Sequence, residues 1–298
     1  MRVVLTGASG LIGQALVEYL RGRGDHIVRL VRRPANGDPD LATWDPANEQ
    51  IDGAVFEGAD AVVHLSGEPI VEGRWNARKK RRIRSSREGT TAFLAETLAR
   101  LGSKPPVMVA CSAVGFYGNR GDEVLTEAST PGKGFLADVC RAWESAADPA
   151  REVGIRVVHA RMGIALSKEG GALSKLLPPF RMGVGGPLGS GAQYISWIGM
   201  PDAVAALVHV IETPELSGAV NIVAPNPVTN LGFARELGAV LHRPSVVTVP
   251  AIAVRLAMGE MADEALLASQ RVEPARLMAS GFPFCFPDLR QAIEEALR

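Results

Sequence analysis

Along the first two-thirds of the chain, short β-branched apolar runs alternate with segments whose apolar residues recur at helical spacing. That alternation predicts an α/β fold built on a parallel sheet with helices on both faces. The predicted strands are Arg2–Thr6, His26–Val31, a segment around Ala42–Trp44, Ala61–Leu65, Val107–Ser112, Ile155–Arg161 and Val220–Val223. Between them, Gln14–Arg21 carries Leu16, Val17 and Leu20 on one helical face, and Thr90–Leu101 and Phe135–Val153 read as further helices. Asp202 suits the N-cap of another, because its carboxylate can accept from a free N–H in the first turn. Beyond Pro225 the texture changes to a helix at Leu231–Leu241, a short strand at Val246–Val249 and a mainly helical remainder. That remainder comprises Ala251–Met258, Ala262–Ser269, a ring-rich stretch Gly281–Pro287 that packs on neighbouring helices, and a last helix Asp288–Leu297. The chain thus divides into residues 1–225, with insertions around 168–200, and residues 226–298.

Gly7, Gly10 and Gly13 fall between the first strand and the first helix. At that spacing Gly7 permits a tight turn, Gly10 lets backbone approach a phosphate, and Gly13 brings helix and strand together. The helix N-terminus then faces an anion. A dinucleotide beneath the turn is the expected ligand, and the fold class is a Rossmann-type doubly wound parallel sheet with a small, mainly helical C-terminal region. The second strand runs into Arg32 and Arg33, where folds that take NAD place a carboxylate against the ribose hydroxyls. Two guanidinium groups there suit a 2′-phosphate, so NADP is favoured over NAD. The bland alternative is a solvated pair of arginines beside a loop.

Charge and composition narrow the classes. Formal net charge is zero and the pI is near 7.0, which gives no electrostatic bias toward nucleic acid or an anionic membrane. Arg78–Arg87 is strongly basic, but Ile83 interrupts it at helical spacing and no aromatic platform is interleaved, so it reads as a solvated helix face. No signal peptide or membrane-spanning run is expected. Cys111, Cys140 and Cys285 are odd in number and lack metal-ligand spacing, as do the five histidines; a reducing cytoplasm is the expected compartment and no metal is expected.

Several blocks carry a resemblance across almost the whole chain: TGASGLIG at Thr6–Gly13, HLSGEPI at His64–Ile70 with Arg74 and Trp75, SAVGFYG at Ser112–Gly118, Trp143–Glu144, GGAL at Gly170–Leu173, GVGGPLGSGAQ at Gly183–Gln193, SWI at Ser196–Ile198 and GFPFCFP at Gly281–Pro287. Their order and number resemble an atypical short-chain dehydrogenase/reductase subgroup, sugar-nucleotide-epimerase-like, with a C-terminal segment called DUF1731. The resemblance implies cofactor contacts from Thr6, Gly7, Ser9, Gly10, Leu11, Ile12 and Gly13, from Leu65, Ser66 and Gly67, from Arg87, and from Met162, Gly163 and Ile164. Glu68, Arg74, Trp75 and Gln193 are the substrate-side candidates; a solvated Glu68 and a Trp75 that merely anchors its loop are the alternatives.

Typical members of that superfamily use a tyrosine and, four residues on, a lysine that lowers the phenol pKa. Here Tyr19 is followed at that distance by Arg23, Tyr117 by Gly121 and Tyr194 by Ile198. Leu136 and Cys140, or Phe135 and Val139, stand where the pair belongs, and Ser86 replaces the helix asparagine, whereas Ser112 is retained. One reading makes Tyr117 the acid/base, with Ser112 orienting the substrate oxygen and Arg120 or Lys133 as activating cation; in the alternative Tyr117 is structural. The expected function is an NADP-dependent oxidoreductase or epimerase acting on a small hydroxyl- or carbonyl-bearing or nucleotide-sugar substrate. A catalytically inactive NADP-binding regulator or redox sensor stands beside it. A small-molecule substrate is the expected partner, with neither nucleic acid nor membrane, and homodimers through sheet-side helices are common in such folds.

Overall fold

In the computed structural model, which describes residues 1–298, the chain opens with β1 (Arg2–Thr6), α1 (Leu11–Gly22), β2 (His26–Val31), β3 (Leu41–Asp45), β4 (Gln50–Ile51) and β5 (Ala61–His64). The middle third holds α2 (Ala77–Arg100), β6 (Val107–Ala113), β7 (Val124–Leu125), α3 (Phe135–Ser145), α4 (Asp148–Glu152), β8 (Arg156–Met162), β9 (Ile164–Leu166) and α5 (Gly171–Arg181). It continues with β10 (Tyr194–Ile195), β11 (Trp197–Gly199), α6 (Met200–Glu212), β12 (Gly218–Ile222), β13 (Val228–Thr229) and α7 (Asn230–Val240). Last come α8 (Ala251–Met258), a π-helical turn at Ala262–Leu266, β14 (Arg271–Val272), α9 (Ala275–Ala279) and α10 (Leu289–Leu297).

The main sheet has eight strands in the order β12-β8-β6-β5-β1-β2-β3-β4. Every neighbouring pair is parallel except the short β3–β4 ladder. From β1 the chain winds outward through β2 and β3, then restarts on the other side of β1 with β5 and continues to β6, β8 and β12. The carboxyl ends of β1 and β5 therefore flank the point where the winding reverses, the place at which such sheets open a ligand crevice.

Both sheet faces are covered, as parallel strands require. Leu16 and Leu20 of α1 and Ala203 and Leu207 of α6 pack on Val3, Leu5, Val63 and Val109. On the other face Phe93, Leu94 and Leu98 of α2 and Ala150 of α4 cover Val4, Val62 and Met108. Each fully buried leucine contributes about 1.5–3 kcal/mol. A third cluster around Trp197 joins Leu173, Leu177 and Phe180 of α5 to Phe233 and Leu237 of α7 and Ile293 of α10, fastening the C-terminal helices to the sheet. No helix is long and apolar enough to cross a membrane.

Four departures from the sequence pattern have local causes. The helix expected over Phe135–Val153 is two helices, because Pro149 sits in the first turn of α4, where its missing N–H costs nothing, and cannot continue α3. The helix face read over Arg78–Arg87 and the helix expected over Thr90–Leu101 form one element, α2, capped by Asn76 Oδ1 accepting from Lys79 N at 2.8 Å. The strand expected at Val246–Val249 is reduced to one bridge between Val249 and Leu188. Asp202 is not an N-cap. Gly199 occupies that place, and the fully buried Asp202 carboxylate accepts from the backbone N–H groups of Cys285 at 2.8 Å and Phe286 at 2.9 Å. It thereby ties the ring-rich stretch to α6.

Candidate functional site

The crevice begins at a compressed turn. Gly7 has φ +73°, and a Cβ there would stand 2.7 Å from the carbonyl carbon of Leu65, so only glycine lets the β1 turn lie against the end of β5. A Cβ on Gly13 would fall 2.2 Å from the Gly7 oxygen, which fixes how closely α1 approaches the turn. Gly10 is the N-cap of α1 and offers no side chain, while its N–H closes the turn onto Gly7 O at 2.9 Å. The N–H groups of Leu11, Ile12 and Gly13 meet no protein acceptor. Three open donors and the positive end of the helix dipole therefore face one point.

The side chains around this turn divide. Ser9 is exposed, whereas Leu11 lies against Gly170 and Gly171 and Ile12 packs on the core. The Thr6 side chain is sealed, its Oγ1 pairing with His64 Nδ1 at 2.6 Å. His64 Nε2 lies 3.2 Å from Thr90 Oγ1, and burial pushes the imidazole pKa down to about 4. Neutral His64 thus braces β1, β5 and α2 beneath the crevice. Past the end of β2, Arg32 and Arg33 are exposed and carry no carboxylate partner, while nearby Asp40 is bonded to Arg21 at 3.1 Å.

The loop after β5 lines the next part of the wall. Leu65 and Ser66 are half-buried and Gly67 is exposed. Glu68 is held by Lys79 Nζ at 2.8 Å and Arg82 Nη2 at 2.9 Å. The hydrogen bond from Lys79 and the adjacent positive charges keep its carboxyl below the usual range. A carboxylate so held is a weak base. Trp75 donates from Nε1 to Ile70 O at 2.8 Å and meets the Phe135 ring edge-on, which is the anchoring arrangement. Arg74 is exposed and reaches toward Gly259 in the C-terminal segment.

Under the far wall runs a closed polar chain. Ser112 donates to Glu144 Oε1 at 2.7 Å, and Glu144 takes Arg161 Nε at 2.8 Å and Nη2 at 2.9 Å. Arg161 Nη1 donates to the Tyr117 oxygen at 3.0 Å, and Tyr117 donates to Asn221 Oδ1 at 2.7 Å. The Arg161 guanidinium lies 3.4 Å from the Phe116 ring centroid. Tyr117 is fully buried, and burial raises its pKa further. This corrects the expected proton donor, because the hydroxyl has no face on the crevice and both its partners are internal. Ser112 is 1% exposed and likewise committed. Arg120 is bound to Glu123 and Thr130 O, and Lys133 is exposed.

At the ends of β8 and β12, Gly163 donates to Ile222 O at 3.1 Å and Ile164 to Ser196 O at 2.9 Å. Those two N–H groups are spoken for, and Met162 is buried in the core. Gln193, also buried, donates from Nε2 to Leu188 O at 3.0 Å and Leu266 O at 3.3 Å, which makes it a brace between the glycine-rich loop and the C-terminal segment. Leu136 and Cys140 both lie against Gly115, so the wall where a tyrosine and lysine pair was sought is apolar. Burial lifts the Cys140 thiol to about 12 and Cys111 to about 11, and both stay protonated at neutral pH.

Sequence reasoning missed Arg161, Asn221 and Glu264. Glu264 accepts from the N–H groups of Phe135 at 3.1 Å and Leu136 at 2.9 Å, capping α3 from the C-terminal segment. No local pattern announces these residues, since each partner is distant in the chain. Glu144 was visible only as part of a family block. No cluster of three or more His, Cys, Asp or Glu side chains gathers to hold a metal ion.

A glycine turn against β5 at the winding reversal, with open helix donors facing it, defines a Rossmann-type α/β protein. The chain belongs to the NAD dependent epimerase/dehydratase family, whose model matches residues 3–223, and DUF1731, a domain of unknown function, matches residues 249–296. It is 42% identical over 292 residues to epimerase family protein Mb2239 of Mycobacterium bovis, covering 98% of this chain and 96% of that one. The crystal structure of human epimerase family protein SDR39U1 (isoform 2) with NADPH is similar at a TM-score of 0.90 and 34% identity, over 100% of both chains. A nucleoside-diphosphate sugar epimerase from Corynebacterium glutamicum is similar at a TM-score of 0.82 and 38% identity, over 100% of this chain and 58% of that one.

Proposed function

We propose that this chain binds NADPH in the crevice between β1 and β5 and acts as an NADP-dependent oxidoreductase or epimerase on a small hydroxyl- or carbonyl-bearing or nucleotide-sugar substrate. The observation that carries the reading is the trio of unpartnered N–H groups at Leu11, Ile12 and Gly13 beside a turn that tolerates no Cβ at Gly7 or Gly13. Those donors receive the pyrophosphate, and Arg32 and Arg33, free of carboxylates, take the 2′-phosphate. The human relative solved with NADPH supports the same ligand. Bound nicotinamide supplies hydride chemistry. The chain's own part is to hold the cofactor along Leu65, Ser66 and Gly67 and to close the wall at Met162, Gly163 and Ile164.

A second reading, an NADPH-binding regulator or redox sensor, is favoured by one arrangement: Tyr117, Ser112 and Glu68 are all committed to internal partners. The two readings separate in a screen of protein with NADPH against sugars, ketones and quinones, following nicotinamide absorbance. Acceptor-dependent oxidation is the expected result. Tight NADPH binding without turnover in any class contradicts the enzyme and leaves the regulator.

A further inference from the structure

On α2, Arg87 places its guanidinium near the Trp143 ring and the backbone of Gly67. Its Cζ is 5.0 Å from the centroid of the Trp143 ring and 3.3 Å from where a Cβ on Gly67 would stand. Nη1 donates to the carbonyl oxygens of Glu68 at 3.0 Å and Ile83 at 3.2 Å. Nε and Nη2 have no protein partner, and neither is sealed from solvent. These two nitrogens form the side of the guanidinium that meets two oxygens of one anion in parallel, and the two bonds of Nη1 hold the group in place.

No carboxylate neutralises this cation. Glu68, the acidic group beside it, gives its carboxylate to Lys79 and Arg82. The thiols of Cys111 and Cys140 are protonated. Burial holds the Arg87 guanidinium below its ordinary range, the response of an enclosed cation without a counter-ion. Enclosing such a charge is costly until an anion joins it. Gly67 follows β5, Cys111 lies near the end of β6 and Trp143 is on α3, so the neighbours of Arg87 belong to the β5–β6 side of the sheet rather than to the β1–α1 turn.

We propose that the open edge of Arg87 is an anion subsite for a carboxylate or phosphate of the second ligand of the crevice, and hence that the substrate is an acidic compound. This rests on NADPH occupying the crevice, as argued above. The competing source of the same chemistry is a phosphate of the cofactor itself, the contact that the family resemblance implies for Arg87.

The test titrates NADP-saturated protein with oxalate and, separately, inorganic phosphate, reading tryptophan fluorescence, and measures NADPH affinity by calorimetry. Wild type is compared with Arg87→Met and Arg87→Lys. The expected result is saturable binding of at least one anion by wild type, a loss of tenfold or more in Arg87→Met, partial recovery in Arg87→Lys, and NADPH affinities within twofold of each other. Retained NADPH affinity also shows that the variants are folded. No saturable anion binding by wild type, or equal binding by Arg87→Met, overturns the subsite. A tenfold drop in NADPH affinity in Arg87→Met assigns the cation to the cofactor and overturns the substrate role. A wild type that binds oxalate but not NADPH fails the cofactor reading alone.

Discussion

His64 carries a pH dependence that its position dictates. Its ring sits between Thr6 and Thr90, and burial alone lowers its pKa from 6.5 to about 4. The unfolded chain takes up the proton near pH 6.5 while the folded chain resists it until about pH 4, so acid favours unfolding. This contribution to stability is complete above pH 6.5, declines as pH falls below that value, and is gone below about pH 4, a loss of about 3 kcal/mol. Urea denaturation across that range is expected to show a flatter profile for His64→Asn than for wild type. Tyr117→Phe leaves Asn221 Oδ1 and Arg161 Nη1 short of a partner inside the core and is expected to cost about 1–3 kcal/mol in the same assay, with NADPH affinity unchanged. Gly7, Gly10 and Gly13 could be read from the sequence because a turn's demands are local. The commitment of Tyr117 to Asn221 could not, because it depends on how β12 is placed beside β8.

The elements follow local signals where the signal is strong. β1, α1, β2 and β6 lie close to where apolar spacing put them. α5 is not among the predicted helices; it carries Pro178 and Pro179 in its last turn. The short parallel pair β7–β14 joins residues far apart in sequence and has no pattern of its own. Asp202 is the most instructive case. Its type and place suggested a cap, but burial turned it into an acceptor for the backbone of Cys285 and Phe286. Asp202→Ala is expected to remove the acceptor of two part-buried N–H groups, at a cost of about 1–3 kcal/mol. Amide exchange should quicken in Gly281–Leu297 while β1, β5 and β6 stay protected; uniform quickening across the sheet contradicts a local anchoring role.

At the scale of the whole molecule, sheet order decides what the residues can do. The winding reversal brings Gly7 to Leu65, and it leaves the end of β2, with Arg32 and Arg33, beside the same crevice. The C-terminal segment closes the other side through Glu264 on α3, Lys80 bonded to Glu260 at 2.7 Å, and Gln193 bonded to Leu266. Cofactor choice is therefore the property that joins the sequence, the topology and the site. It is tested most directly by calorimetric titration of wild type and Arg32→Asp with NADPH and with NADH. The account predicts that wild type binds NADPH at least tenfold more tightly than NADH and that the substitution removes most of that difference. Equal affinities in wild type, or an undiminished preference in Arg32→Asp, would contradict it.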